Sequence, residues 1–249
     1  MISTRLVAIS FAAVAGSTAL AAAQQPQTAL LTGLTRDLAC APASPQVKPT
    51  PSLIVAAGRE PRKTLFGAGD ALVIRGGTSQ GVKAGDEYFV RRIVDDRFTE
   101  HAPGVYPVSI TTAGTVQVVE AQTDFSIAVV TYGCDGILEV DYLEPYRPPV
   151  APSNQAGAAP DYAHPGRLIL GADRRQIGSP GEFMVLDRGS DHGLRQGQQL
   201  TIFRRTVKDG PVANVGTATV YTVNPESSVV RIDSSLDAVY VGDLVAVHR

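Results

Sequence analysis

The residues that most resemble a reaction centre are Asp187, Ser190, Asp191 and His192. A serine hydroxyl beside an imidazole and a carboxylate is the raw material of acyl transfer, with the imidazole taking the proton and the carboxylate orienting it. The same stretch, Gly189-Ser190-Asp191-His192-Gly193-Leu194-Arg195-Gln196-Gly197, is rich in glycine. Such turns can present backbone N–H groups to a phosphate. Two arginine pairs, Arg91-Arg92 and Arg204-Arg205, end apolar runs, where a symmetric anion site is conceivable but a solvated strand end is the plainer expectation.

These readings weaken against the rest of the chain. The loop occurs twice, with Gly77-Thr78-Ser79-Gln80-Gly81-Val82-Lys83-Ala84-Gly85 lying 112 residues earlier and three glycines in phase. The positions of Asp187, Ser190, Asp191 and His192 are there held by Arg75, Thr78, Ser79 and Gln80, so the turn forms without that chemistry. No Lys-Ser/Thr pair and no helical pattern follows the glycines, which argues against a nucleotide loop. Gly77, Gly81, Gly85, Gly189, Gly193 and Gly197 are therefore expected to be structural turn residues. Gly81 and Gly193 should take a positive φ, Val82 and Leu194 should tuck into the barrel end, and Gly85 and Gly197 should open the next strand. His101, His164 and His248 lack metal-ligand spacing, and Glu60, Asp86, Glu87 and Asp124 make no convincing acid pair. No catalytic, cofactor-binding or metal-binding residue is assigned, and no enzyme activity is expected.

The repeat runs on beyond the loops. Ala71-Leu72-Val73-Ile74 precedes the first loop and Phe183-Met184-Val185-Leu186 the second. Ala113-Gly114-Thr115-Val116 matches Val215-Gly216-Thr217-Ala218, and Glu139-Val140-Asp141-Tyr142-Leu143 matches Val241-Gly242-Asp243-Leu244-Val245, both at an offset of 102. The offset falls because the first copy carries a longer loop, around Arg97 to Thr111. Upstream, Leu53-Ile54-Val55 is matched to Leu168-Ile169-Leu170. Such self-similarity implies two units of one architecture. Short β-branched runs separated by Gly, Asp, Asn and Pro suit small barrels of five or six strands, and closure protects strand edges. The expected fold is all-β, with two tandem small β-barrel-like domains related by an internal repeat.

The expected organisation is a signal peptide over 1–23, an N-terminal arm over 24–50, β-domain 1 over 51–146, a Pro/Ala-rich linker over 147–165 and β-domain 2 over 166–249. Arg5, the apolar stretch from Leu6 to Ala15 and the small residues Ala21-Ala22-Ala23 suit export by a Sec-type signal, hence a periplasmic or secreted protein. The apolar stretch is short for a membrane span, and no second one of spanning length exists. In an oxidising compartment Cys40 and Cys134 should form one disulfide, worth about 4–5 kcal/mol on the chain-entropy model. The second unit has Leu236 at the place of Cys134, so the bond is an addition to the shared fold. A formal charge of −2 favours neither nucleic acid nor an anionic membrane, and the lack of Trp disfavours a carbohydrate-stacking platform.

The run Gly69-Asp70-Ala71-Leu72-Val73-Ile74, the loop Gly77 to Gly85 with Asp86, and Tyr88-Phe89-Val90-Arg91 resemble the C-terminal β-domain of the flagellar assembly protein T family. They are also similar to Gly-rich modules attached to LysM-type wall-binding proteins. The paired arrangement resembles a group of uncharacterised exported bacterial proteins and, more distantly, the periplasmic β-domains of rod-shape scaffold proteins. The resemblance implies a bacterial cell-envelope protein that binds or scaffolds other envelope proteins by contact. Peptidoglycan binding, or a hydrolase with a site between the two domains, are the alternatives.

Overall fold

A computed structural model describes residues 37–43, 50–60, 62–95, 108–148, 150–153, 159–172, 175–207 and 210–248. Residues 1–23, expected to be a signal peptide, His101 and most of the long loop of the first unit lie outside them. No described helix is long and apolar enough to cross a membrane.

The first unit contains β1 (Ile54–Gly58), β2 (Ala71–Arg75), β3 (Glu87–Asp95), β4 (Val108–Ala121), β5 (Phe125–Gly133) and β6 (Tyr142–Pro145). They close in the order β1-β2-β5-β4-β3-β6. The second unit contains β7 (Pro160–Gly171), β8 (Ile177–Gly178), β9 (Phe183–Leu186), β10 (Gln199–Arg204), β11 (Ala213–Val223), β12 (Ser228–Ser235), β13 (Val239–Tyr240) and β14 (Leu244–His248). Its barrel closes as β10-β11-β12-β9-β7-β14, which is the same cyclic order once equivalent strands are substituted. Closure leaves neither barrel with a free edge. Inward-facing Val, Leu and Ile fill each interior, with Leu72, Ile74, Val90, Val116 and Val130 in one core and Met184, Leu186, Ile202, Ala218 and Ile232 in the other.

Three boundaries differ from the sequence reading. β7 begins at Pro160, so the final residues assigned to the linker are a strand. They look like linker because Pro and Ala dominate, but Asp161 pairs with Val247 and Tyr162 packs edge-on against Phe203. The first strands align differently as well: Val55 pairs with Ile74 and Leu168 with Leu186, so Val55 corresponds to Leu168. Leu168 thus stands opposite the place of Val55 and not of Leu53, a shift of two residues that leaves the in–out alternation unchanged. Finally, part of the longer loop of the first unit is paired strand. Ile93, Val94 and Asp95 lie opposite Ile110, Ser109 and Val108, pairs with no counterpart between β10 and β11.

The described arm residues 37–43 touch both barrels. Residues 37–39 form one helical turn. Leu38 packs with Phe183, Tyr221 and Val229 on the outside of the second barrel. Cys40 is disulfide-bonded to Cys134, and Ala43 pairs with Ile110 of β4.

Candidate functional site

The glycine loops are occupied by their own fold. In each, three residues form a 3₁₀ turn, closed by Gly81 at φ 84° or Gly193 at φ 82°. Gly85 and Gly197 are left-handed too, at 92° and 83°, and sit in a turn that ends before β3 and β10 begin at Glu87 and Gln199. Gly77 and Gly189 are needed for another reason: a Cβ there would come within 2.0 Å of the Gln122 or Asn224 carbonyl oxygen. That closeness lets the turn dock on a hairpin tip. Thr78 and Ser79 donate their N–H groups to the Gln122 and Thr123 carbonyls, and Ser190 and Asp191 donate theirs to Asn224 and Pro225. Gln80, Gly81 and Val82, and likewise His192, Gly193 and Leu194, donate theirs within the turn, and Gly85 and Gly197 donate to the Val118 and Val220 carbonyls, so these N–H groups are not offered to a phosphate. Val82 and Leu194 are buried in the two cores.

The Asp-Ser-His cluster is not brought together. Asp187 accepts the Arg167 N–H at 2.6 Å. His192 Nδ1 accepts the Gly189 N–H at 3.3 Å. Among the described residues no hydrogen bond joins Ser190 to His192, or His192 to either aspartate. His248 is half-buried against Thr201, His164 lies beside Asp161, Asp86 caps the Lys83 N–H, and Asp124 accepts the Ser79 hydroxyl. No group of metal-ligating side chains occurs among the described residues.

In each arginine pair one member, Arg92 or Arg204, is held by carboxylates of its own chain, while Arg91 meets Glu144 at 3.1 Å and Arg205 the Tyr162 carbonyl at 3.2 Å. Arg92 forms a two-pronged bond to Asp141, with Nε to Oδ1 and Nη2 to Oδ2 both at 2.8 Å. It also reaches Asp135 at 3.2 Å and the Gly136 carbonyl at 2.6 Å. Arg204 repeats this with Asp243 at 2.5 and 2.8 Å, with Asp237 at 2.9 Å and with the Ala238 carbonyl. The side chains of Asp141 and Asp243 are only 2% and 5% exposed, and each also accepts a backbone N–H, from Leu138 or Tyr240. The hydrogen bonds to Asp141 and Asp243 push Arg92 and Arg204 further up from the usual guanidinium range. At Arg92 and Arg204 the anion position is therefore filled from within.

What each clasp holds is a short antiparallel ribbon, a single bridge in the first barrel and a two-stranded pair in the second. In the first barrel Phe66 bridges Ile137, and in the second Ile177–Gly178 pairs with Val239–Tyr240. The inward residues Phe66, Ile137 and Val239 are buried. The outward ones are large, apolar and exposed: Leu65 and Leu138 in one barrel, Ile177 and Tyr240 in the other, at 58%, 37%, 48% and 42%. A cation–carboxylate pair flanks each ribbon, Lys63 to Asp70 at 2.6 Å and Arg175 to Glu182 at 2.7 Å. Asp70 also accepts the Gly67 N–H and Glu182 the Ser179 N–H. The Gly67 bond first, and then Lys63, hold the Asp70 carboxyl below the usual carboxylate range. In the first barrel the ribbon opens beside a cavity of about 530 Å³, lined by Lys63, Leu65, Asp70, Tyr132 and Cys134 among others.

These two ribbon ends are the surfaces that the sequence reading missed. The signal was present as Leu65 aligned with Ile177 and Leu138 with Tyr240, but short apolar runs do not reveal which side of a ribbon faces solvent. No family model and no curated protein matches the chain.

Proposed function

We propose that the protein is an exported, non-enzymatic cell-envelope binding or scaffold protein that works through protein contacts at its two ribbon ends. The supporting observation is the exposed apolar pair that both barrels place at the same position, with different residues in each. One exposed apolar side chain is ordinary. A matched pair of them, set on a ribbon clamped by a buried Arg–Asp bond, gives a preordered contact surface at low entropic cost. The disulfide suits an oxidising compartment, in keeping with the signal-like first residues.

The test is a double substitution in the full chain, Leu138→Glu with Tyr240→Glu. Leu138 and Tyr240 are partly exposed, and the Arg204–Asp243 bonds remain when the Tyr240 ring, 4.8 Å from the Arg204 guanidinium, is removed, so the fold should hold with only a small loss of stability. Capture of envelope proteins from a membrane-and-periplasm extract should fall at least tenfold against the unsubstituted protein. Unchanged capture by a folded double variant rejects the ribbons as the contact surface. Cosedimentation with purified peptidoglycan that survives the same substitutions would favour a wall-binding module instead.

A further inference from the structure

We propose that the arm segment from Asp37 to Ala43 is a redox-releasable strap that plugs a docking wall on the second barrel. The wall consists of Phe183, Tyr221 and Val229, and its plug is Leu38. It is a different surface from the ribbon ends, and the inference does not rest on them.

The internal repeat supplies the control. The positions of Phe183, Tyr221 and Val229 are held in the first barrel by Ala71, Val119 and Ile127, and Val119 is exposed. The shared fold therefore does not need large residues there, and the second barrel carries them where Leu38 sits. Phe183 and Tyr221 meet edge to face at 5.3 Å, and both are buried. The anchor lies on the other barrel and is equally an addition. Cys134 stands where the second unit has an exposed Leu236, and that unit closes its barrel without any disulfide. The extra pairs of β3 and β4 bring Ile110 to Ala43, with N–H to carbonyl bonds of 3.0 and 3.2 Å in the two directions. Thr112 Oγ1 donates to the Ala41 carbonyl at 3.3 Å. The disulfide thus holds the arm and is not required to close a barrel.

Release follows from thiol–disulfide exchange. A dithiol reductant attacks one sulfur, the Cys40–Cys134 bond breaks, and its second thiol resolves the mixed disulfide. Two cysteine thiols and one oxidised reductant result. The arm is then joined to the first barrel through the backbone beyond Ala43 alone, so its remaining contacts lose the added effective concentration of the second tie, and the wall is bared to a partner segment resembling 37–41, with one leucine among small residues.

Hydrogen exchange on the full chain, oxidised and with excess dithiothreitol, tests this together with binding of a hydrophobic fluorescent dye. On reduction, exchange at Ala41 and Ala43 should rise at least tenfold while β2, β5, β9 and β12 stay protected, and dye binding should rise. Leu38→Asp in the oxidised protein should bind dye without reduction, and adding Tyr221→Ala should remove most of that signal. Unchanged arm exchange on reduction overturns the proposal, as does opening of the first barrel together with the arm. A folded Leu38→Asp protein that binds no more dye than the parent overturns the plug.

Discussion

The first barrel packs Phe89 against Tyr146 as tilted rings 4.7 Å apart, whereas the second joins Thr201 to His248 by a hydrogen bond of 2.8 Å at the same two positions. The cores differ in the same coupled way. Phe66 fills the bottom of the first, and it fits because Gly58 has no side chain: a Cβ there would lie 2.1 Å from the ring. The second barrel has Gly178 in place of Phe66. The space is taken by Met184 and Ile232, which replace Leu72 and Val130 and would stand 2.8 and 2.7 Å from a Cβ on Gly178. Volume is exchanged between neighbours while the strand order stays the same, as close packing demands. What does not vary is the backbone-directed chemistry: the hairpin-docked turns, the glycines opposite carbonyls and the Arg–Asp clasps. The barrels therefore share what closes them and differ in what touches other things, including the arm.

The largest expected effect is at the clasps. Arg92→Met or Arg204→Met leaves Asp141 or Asp243 buried without its partner. Each should cost its own barrel about 3 kcal/mol, as for other buried pairs that lose one member. Denaturant unfolding followed separately at tyrosines of each barrel would read it. Equal losses mean equal roles; a loss confined to one barrel would show that the symmetry is geometric only.

Next come the turns. Gly81→Val and Gly193→Val place a β-branched residue at a left-handed φ, with no atom near enough to clash with the new Cβ. The cost is therefore backbone strain, about 1–3 kcal/mol in either barrel. Thermal melts should show similar shifts for both, and a melt unchanged from the parent would remove the conformational explanation. His192→Gln should leave the melt where it is, since Gln80 occupies the equivalent turn.

How much of this was legible in the sequence depended on whether the signal was local. The turn glycines were, because loop and repeat coincide within nine residues, and the positive φ at Gly81 and Gly193 follows directly. The clasp was not. Arg92 and Asp141 both lie in matched segments, but nothing along the chain ties a strand end to a turn 49 residues away, so the arginines read as solvated ends. The slip in β1 went unseen because inward and outward residues alternate, and a shift of two keeps every apolar residue on its face. Pro160 to Pro165 read as linker since composition outweighed a pairing that only β14 could reveal.

A smaller effect concerns one position where the copies disagree about strain. Val140 has φ 68°, while its counterpart Gly242 has φ 100°. Both lie just before the clasp aspartate, and Val140 is largely exposed, so its side chain contributes little packing. Val140→Gly should stabilise the first barrel by about 1 kcal/mol, the strain relieved less the added freedom of the unfolded chain. The reverse change, Gly242→Val, should destabilise the second by a like amount. If Val140→Gly destabilises instead, Val140 makes a contact that its exposure does not reveal.

The smallest expected effect distinguishes the barrels by pH. Burial lowers the His248 pKa below the ordinary 6.5. A group that is harder to protonate when folded favours the unfolded state once protons are available. Stability is then highest above the unfolded value, falls as pH drops through it, and stops falling below the folded value, where both states are charged. The first barrel has Tyr146 at this place, and its pKa is raised, by burial first, so it stays neutral throughout that range. Between about pH 7 and pH 5 the second barrel should lose a fraction of a kcal/mol that the first does not, since one full pKa unit is worth about 1.4 kcal/mol and His248 is only partly buried. His248→Gln should flatten the pH dependence of the second barrel's melting temperature and leave that of the first unchanged. An unflattened profile would place the titration on another group and return the Thr201–His248 pair to a purely packing role.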